Sequence, residues 1–245
     1  MNEKNTLIIE GLKDCLELLE KKSGIIEKVL WAEKYIKLQD LENIQKLTKK
    51  NNVLLEKVNL KIFYKLKKTK TTQGFIALIK KPQHTLKDLK KTSSIVVLDS
   101  VQDPGNVGTI IRSACVLGFD AVVLTKGSVR LDNQKLLRSI KGYITDIMIF
   151  EDIEIMEMMD FLQMNSINLY AADMKGIDII SSKLLIKKPL AIFFGSEGRG
   201  LSQKVLEKAK LISIKMCRNG QSLNVAVSAG IILFEAGKKW IQKRN

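Results

Sequence analysis

Histidine is nearly absent from this chain of 245 residues: His84 is the only one. The three cysteines, Cys15, Cys115 and Cys217, lie far apart, and no CxxC pair occurs. A zinc site built from histidine and cysteine is therefore excluded as a working idea, and no metal is expected. A Ser-His-Asp or Cys-His triad would have to use His84, which sits in a lysine-rich stretch without a nucleophile motif. The thiols read as small core residues of a reduced, cytoplasmic protein. Long apolar runs are lacking too. The longest, Leu223–Phe234, is interrupted by Asn224 and Ser228, and a bilayer span needs about 20 apolar residues. The start, MNEKNTLIIEG, does not have the pattern of a signal peptide. Nor is there a low-complexity tract or an internal repeat.

Acid is scarce relative to base. Forty-one Lys+Arg face 26 Asp+Glu, a formal net charge of +15. Two thirds of that excess falls in residues 1–92, where 21 Lys meet 11 Asp+Glu. Lys65, Lys67, Lys68, Lys70, Lys80, Lys81, Lys87, Lys90 and Lys91 form a basic string. Such a string is either a solvated face or an electrostatic footprint for a polyanion, RNA or DNA. It contains none of the aromatic anchors that a membrane-surface helix would carry. Arginine is rarer than lysine and unevenly placed. Arg112 is the first of six, so each is a candidate for a planar, bidentate role.

What the chain does have is alternation. Helical spacing over Gly11–Lys22, Leu41–Lys50 and Asn59–Lys67 is interleaved with strand-like stretches at Ile25–Ala32, Asn52–Val58 and Gly74–Ile79. This is a small α/β unit over residues 1–80. A polar stretch with Pro82, residues 81–94, reads as a linker. A second alternating series fills residues 95–245. Its strands are expected at Ile95–Asp99, Ala121–Thr125, Asp146–Phe150, Ile167–Ala172, Leu190–Gly195 and Leu211–Met216. Its helices are expected at Asn106–Leu117, Gln134–Lys141, Ile153–Asn165, Ser202–Lys208 and Leu223–Lys239. Apolar strands alternating with helices imply a parallel sheet covered on both faces.

Ligands bind such sheets at the carboxyl ends of the strands, and three of those ends carry unusual loops. The first, Asp99-Ser-Val-Gln-Asp-Pro-Gly-Asn-Val-Gly108, runs into a helix bearing Arg112; Asn106 is placed to cap that helix and Gly108 permits close backbone approach. The second, Phe194-Gly-Ser-Glu-Gly-Arg-Gly-Leu-Ser202, surrounds Glu197 with glycines. Its glycine order fits neither the dinucleotide fingerprint nor a Walker loop. In the third, Ile214-Lys-Met-Cys-Arg-Asn-Gly-Gln-Ser-Leu-Asn224, Ser222 and Asn224 stand at the start of the last helix. Capping accounts for one of them.

Taken together, these loops resemble the SpoU branch of the knotted SPOUT methyltransferases. The resemblance rests on Asp-Pro-Gly-Asn-Val-Gly with Arg112, Gly-Ser-Glu-Gly-Arg-Gly-Leu, and Ser-Leu-Asn-Val at Ser222–Val225, in that order. The first 80 residues resemble the ribosomal-protein-like substrate-binding domain that precedes many of these enzymes, with Gln73-Gly74 matching its ending. The resemblance implies a C-terminal knotted parallel-sheet domain, a homodimer, and transfer of a methyl group from S-adenosylmethionine to a ribose 2′-hydroxyl of RNA. Ribosomal RNA of the 23S type is the expected substrate; a tRNA substrate and a non-catalytic RNA-binding relative are the alternatives. It implies catalytic roles for Arg112, Asn106, Glu197 and Asn224. Asn106 would orient Arg112 or the ribose, and Glu197 would hold Arg112 or a loop amide. A guanidinium stays protonated, so Arg112 is expected to stabilise developing negative charge rather than accept a proton. Cofactor contacts are expected from Gly195, Ile214, Met216, Ser222 and Leu223, and RNA contacts from Lys67, Lys68, Lys70 and Arg199. The chain departs from the family pattern at Lys215, where proline is usual, at Arg218, at Ala226, and at Thr71-Thr72.

Overall fold

The computed structural model describes residues 5–67, 73–91, 93–140, 142–181, 184–217 and 222–241, and of Lys239 and Ile241 only the backbone. The chain divides into two compact units, 1–82 and 83–245.

The first unit is a four-stranded sheet with helices. Its elements are β1 (Thr6–Glu10), α1 (Leu12–Lys21), β2 (Ile26–Trp31), α2 (Leu38–Lys50), β3 (Leu54–Lys57), α3 (Leu60–Leu66) and β4 (Phe75–Lys80). The sheet order is β1-β4-β2-β3. Strand β4 is central and pairs antiparallel with both β1 and β2, whereas β2 and β3 run parallel. Its sequence, Phe-Ile-Ala-Leu-Ile, is buried throughout because both of its faces are covered. Helix α1 turns Cys15, Leu18 and Leu19 inward, the one-sided pattern expected of a surface helix. Asn51 ties the ends of two helices together by donating to the carbonyls of Leu19 and Leu47. Strand β1 is absent from the expectations above; its five residues are too few to show alternation, and pairing with β4 defines it. The Gln73-Gly74 pair is structural here. Gln73 accepts the N–H of Leu12 at the start of α1. Gly74 has φ +80°, and a Cβ there would lie 2.7 Å from Ile36 Cγ1.

The second unit holds β5 (Ser94–Asp99), α4 (Pro104–Val116), β6 (Ala121–Thr125), α5 (Gln134–Ile140), β7 (Met148–Ile153), α6 (Ile155–Met164), β8 (Asn168–Asp178), β9 (Leu190–Gly195), α7 (Gln203–Lys208), β10 (Lys210–Ser213) and α8 (Val225–Ile241). The strands form one sheet in the order β10-β8-β9-β5-β6-β7, parallel at every pairing. Successive side chains of β5 point to opposite faces. Val96 and Leu98 join α4, α5 and α8 in one core, and Ile95 and Val97 join α6 and α7 in the other. Ser94, the polar exception in β5, is fully buried with its N–H and hydroxyl both bonded to Asp120. The segment read as a linker is not a free tether: Leu86 and Leu89 are buried in the second core. Of the three thiols, Cys15 is buried and Cys115 half-buried, but Cys217 is exposed in the loop after β10. The core reading of Cys217 is thereby corrected; it lies past the last strand, exposed.

The strand order also locates a crevice. From β5 the chain moves through α4 to β6 on one side. From β9 it moves through α7 to β10, beyond β8 on the other side. Neighbours β5 and β9 end together, Asp99 opposite Gly195. Loops that diverge in opposite directions from adjacent strand ends leave a cleft between them.

Candidate active site

The loop after β5 is braced from below. Ser100 adopts φ +57°, a left-handed conformation unusual for a residue with a side chain. Thr125 Oγ1 accepts its N–H, and its own hydroxyl donates to the carbonyl of Lys126. Asp103, not Asn106, is the residue that caps α4: its Oδ1 accepts the N–H of Asn106 at 2.8 Å, with Pro104 at the first helical position. The expected cap is thus corrected by three residues, from Asn106 to Asp103, because proline opens the helix earlier than the apolar pattern does. The Asn106 N–H holds the Asp103 carboxyl below the usual carboxylate range, and the Lys135 ammonium adds to this. Gly108 admits α5 rather than a ligand, since a Cβ there would overlap the Ser139 side chain.

The loop after β9 folds back on itself. Ser196 and Gly200 exchange backbone hydrogen bonds, and a Cβ on Gly195 would overlap the backbone of Gly200 and Leu201. Asp99, buried at the tip of β5, accepts the N–H of Ser202 at 2.8 Å and so fixes this loop to the first one. The third loop ends on Asn224, whose Oδ1 accepts the N–H groups of Ala226 and Val227 at the start of α8. That cap dictates the amide's orientation and turns its Nδ2 away from the helix.

Relieved of capping duty, the Asn106 amide enters a three-residue network. Its Nδ2 donates to Glu197 Oε1 at 2.9 Å, and its Oδ1 accepts from Asn224 Nδ2 at 3.0 Å. Asn224 Nδ2 also donates to Glu197 Oε1 at 2.8 Å. One residue from each loop closes a triangle, and among the described residues Glu197 Oε2 is left open. Glu197 therefore holds amides rather than Arg112. Arg112 is exposed on α4 with its guanidinium carbon 5.8 Å from the centre of the Tyr143 ring. Within one chain Arg112 takes no part in the triangle.

Two clefts flank this triangle. One, a cleft of about 230 Å³, collects Gly195, Ile214, Met216, Ser222 and Leu223, with Phe194, Leu201, Ile212 and Ile232 as apolar lining. Lys215 is exposed and does not line it. The second cleft, about 280 Å³, is bounded by Ser100–Asp103, Asn106, Gly198 and Arg199. Ser196 and Glu197 line both. Lys67 lies in the other unit, at the end of α3; Lys68 and Lys70 lie outside the described residues. Sequence reasoning missed Asp99, whose signal was an acid closing an otherwise apolar strand. It also missed Asp103, readable from its place just before Pro104. The contribution of Asp173 and Met174 to the first cleft had no signal, since β8 runs on past Ala172.

The model of the SpoU rRNA methylase family matches residues 93–234, more than half of the chain, and that of the RNA 2′-O ribose methyltransferase substrate-binding domain matches residues 8–85. The chain belongs to the SpoU rRNA methylase family. Its SpoU relatives include the 23S rRNA (guanosine(2553)-2′-O)-methyltransferase RlmP of Bacillus subtilis, 29% identical over 94% of this chain and 88% of that protein. An uncharacterized tRNA/rRNA methyltransferase of Borreliella burgdorferi is 30% identical over 79% of this chain and 91% of its own length. Among solved structures, the AdoMet-bound rRNA methyltransferase of Sinorhizobium meliloti superposes with a TM-score of 0.79 at 24% identity, covering 97% of this chain and 89% of that one. The SpoU fold expected from the three loops is thus borne out.

Proposed function

We propose that the protein transfers a methyl group from S-adenosylmethionine to a ribose 2′-hydroxyl of RNA, with ribosomal RNA of the 23S type as substrate. The observation that carries this reading is the shared wall: Ser196 and Glu197 line two clefts of different chemistry. The first suits the cofactor. Its apolar lining fits an adenine ring, while Ser196, Ser213 and Ser222 offer hydroxyls to a ribose and an amino acid. Gly195, Ile214 and Leu223 would hold it through their backbone, Met216 and Ser222 through their side chains. When bound, S-adenosylmethionine supplies an electrophilic methyl carbon, so no metal is called for. The second cleft suits the target nucleotide, with Arg199 at its rim for a phosphate.

The chain's own residues then have distinct tasks. Asn106 and Asn224 lock the Glu197 carboxylate in place through Oε1, and its Oε2 would serve as an acceptor for the hydroxyl hydrogen. Arg112 stabilises the oxygen as charge develops on it. Arg112 reaches a site through a second copy of the chain. In support, it shares a face of α4 with Val116, 71% exposed, and α8 presents Val227, Ile231 and Phe234 at helical spacing, all exposed. The homodimer, the family's trefoil knot and a cytoplasmic location belong to this reading. No described helix is long and apolar enough to cross a membrane.

The test is direct. The purified protein should bind S-adenosylhomocysteine by calorimetry and transfer labelled methyl groups to ribosomal RNA from cells lacking it. Transfer to tRNA alone would redirect the substrate, and cofactor binding without transfer to any RNA would refute the enzymatic reading.

A further inference from the structure

At one end of the small sheet, parallel strands β2 and β3 finish side by side with Trp31 opposite Lys57. The turns that leave them, and helix α3, gather aromatic rings at this end. Tyr35 lies across the buried ring of Phe63, centroids 6.1 Å apart and planes 30° from parallel. It meets Tyr64 edge-on at 6.2 Å, and the two phenol hydroxyls are hydrogen-bonded to each other. Phe63 fills the core, whereas its neighbour Tyr64 is 43% exposed. Each outer ring has an ammonium beside it. Lys34 lies 5.9 Å from the centre of Tyr35, Lys67 5.0 Å from Tyr64, and Lys57 5.3 Å from Trp31.

Packing explains Phe63 but not Tyr64. The pair of hydroxyls holds the Tyr64 ring in a set orientation at the surface, and basic groups surround it. Acids are present too: Glu33 is paired with Lys57 and Glu56 with Lys28, each at 2.7 Å. One ring kept exposed, Tyr64, beside half-buried Tyr35 and Trp31 and among ammonium groups, suits a ligand that offers both a flat π face and phosphates. Tyr64 directly precedes the basic string read from the sequence, and the fold adds Tyr35 beside it.

We propose that this end of the first unit is a stacking site for an unpaired RNA base, with Tyr64 as the platform and Lys34, Lys57 and Lys67 on the flanking phosphates. It rests on the RNA reading above and sharpens it. The first unit takes a loop, bulge or single-stranded segment, not a continuous duplex, whose bases are already stacked within the helix.

The full chain is titrated into a short single-stranded RNA carrying 2-aminopurine, and into the same strand annealed to its complement. Wild-type protein should quench the single-stranded probe and bind it more tightly than the duplex. Tyr64→Ala and Tyr64→Leu should abolish the quench and weaken single-strand binding about tenfold, at unchanged duplex affinity and unchanged thermal unfolding. Tyr64→Phe should keep both quench and affinity, since the ring does the stacking. The proposal is overturned if wild-type protein gives no quench, if Tyr64→Ala and Tyr64→Leu bind like wild type, or if Tyr64→Phe is as damaging as they are. Methyl transfer on the same preparations separates the two readings. Quench without transfer would sink the enzymatic reading alone, and transfer without quench the stacking site alone.

Discussion

Asn106 and Glu197, 91 positions apart in the sequence, are joined by a 2.9 Å hydrogen bond. Asn224 completes the contact from a third loop. Each amide donates toward a carboxylate, the kind of bond that is stronger than a neutral one. Asn106→Ala should therefore free the carboxylate and lower the turnover number by roughly 10²-fold or more. The first cleft does not include Asn106, so S-adenosylhomocysteine affinity should change less than about threefold, within ~1 kcal/mol. Steady-state kinetics and calorimetry on the same preparation check both halves.

Asp103 gives a pH-dependent prediction. Its carboxyl titrates below the usual range because the Asn106 N–H and then Lys135 favour the charged form. A depressed pKa contributes stability that is present above the ordinary carboxylate range and is lost as pH falls through the lower folded value. Asp103→Ala should cost about 1 kcal/mol at neutral pH through the lost cap. The gap in melting temperature between variant and wild type should persist down to the ordinary carboxylate range and narrow below it. A gap independent of pH into strong acid would show that the charge plays no part.

Arg112 is exposed and stacked on Tyr143, outside the triangle of its own chain. If a second copy supplies it, Arg112→Ala and Asn106→Ala chains are each inactive alone but complement each other. In a random mixed population, about a quarter of the wild-type sites regain both residues, by the two-fold logic of a symmetric dimer. Activity of co-expressed, differently tagged chains measures this. No recovery would return Arg112 to service within one chain.

Close packing of α4 on α5 is also testable. A Cβ at position 108 would overlap Ser139, and overpacking of this kind costs typically 1–3 kcal/mol. Gly108→Ala should lower the unfolding free energy by that amount, read from a lower denaturant midpoint at unchanged slope. Adding Ser139→Gly should restore more than half of the loss, the coupling expected of neighbours.

Much of this was legible in the sequence because its signals are local. Leu190–Gly195 and Ala121–Thr125 read as strands to the residue, since runs of apolar residues between turns leave no other assignment. The three loops were legible through their glycines and amides. What local signals could not show was partnership. Asn106 looked like a cap because capping is a local act; that Asp103 takes it over, and so releases Asn106 to Glu197, depends on Pro104 and on a loop 91 positions away. Strand β8 runs to Asp178 instead of stopping at Ala172, since pairing with β10 carries it on past Gly176, where a side chain would strike Ile212. Tyr143 beneath Arg112 gave no signal at all, being an aromatic in a turn.

Whether a ribose oxygen meets the methyl carbon beside Glu197 is decided by digesting with alkali the RNA that this protein has labelled. A methyl group on a 2′-oxygen removes the nucleophile that alkali needs, so the label should remain in an alkali-resistant dinucleotide, at one position, and should vanish with Glu197→Gln and with Arg112→Ala. Label recovered in single nucleotides, on a base, would contradict it.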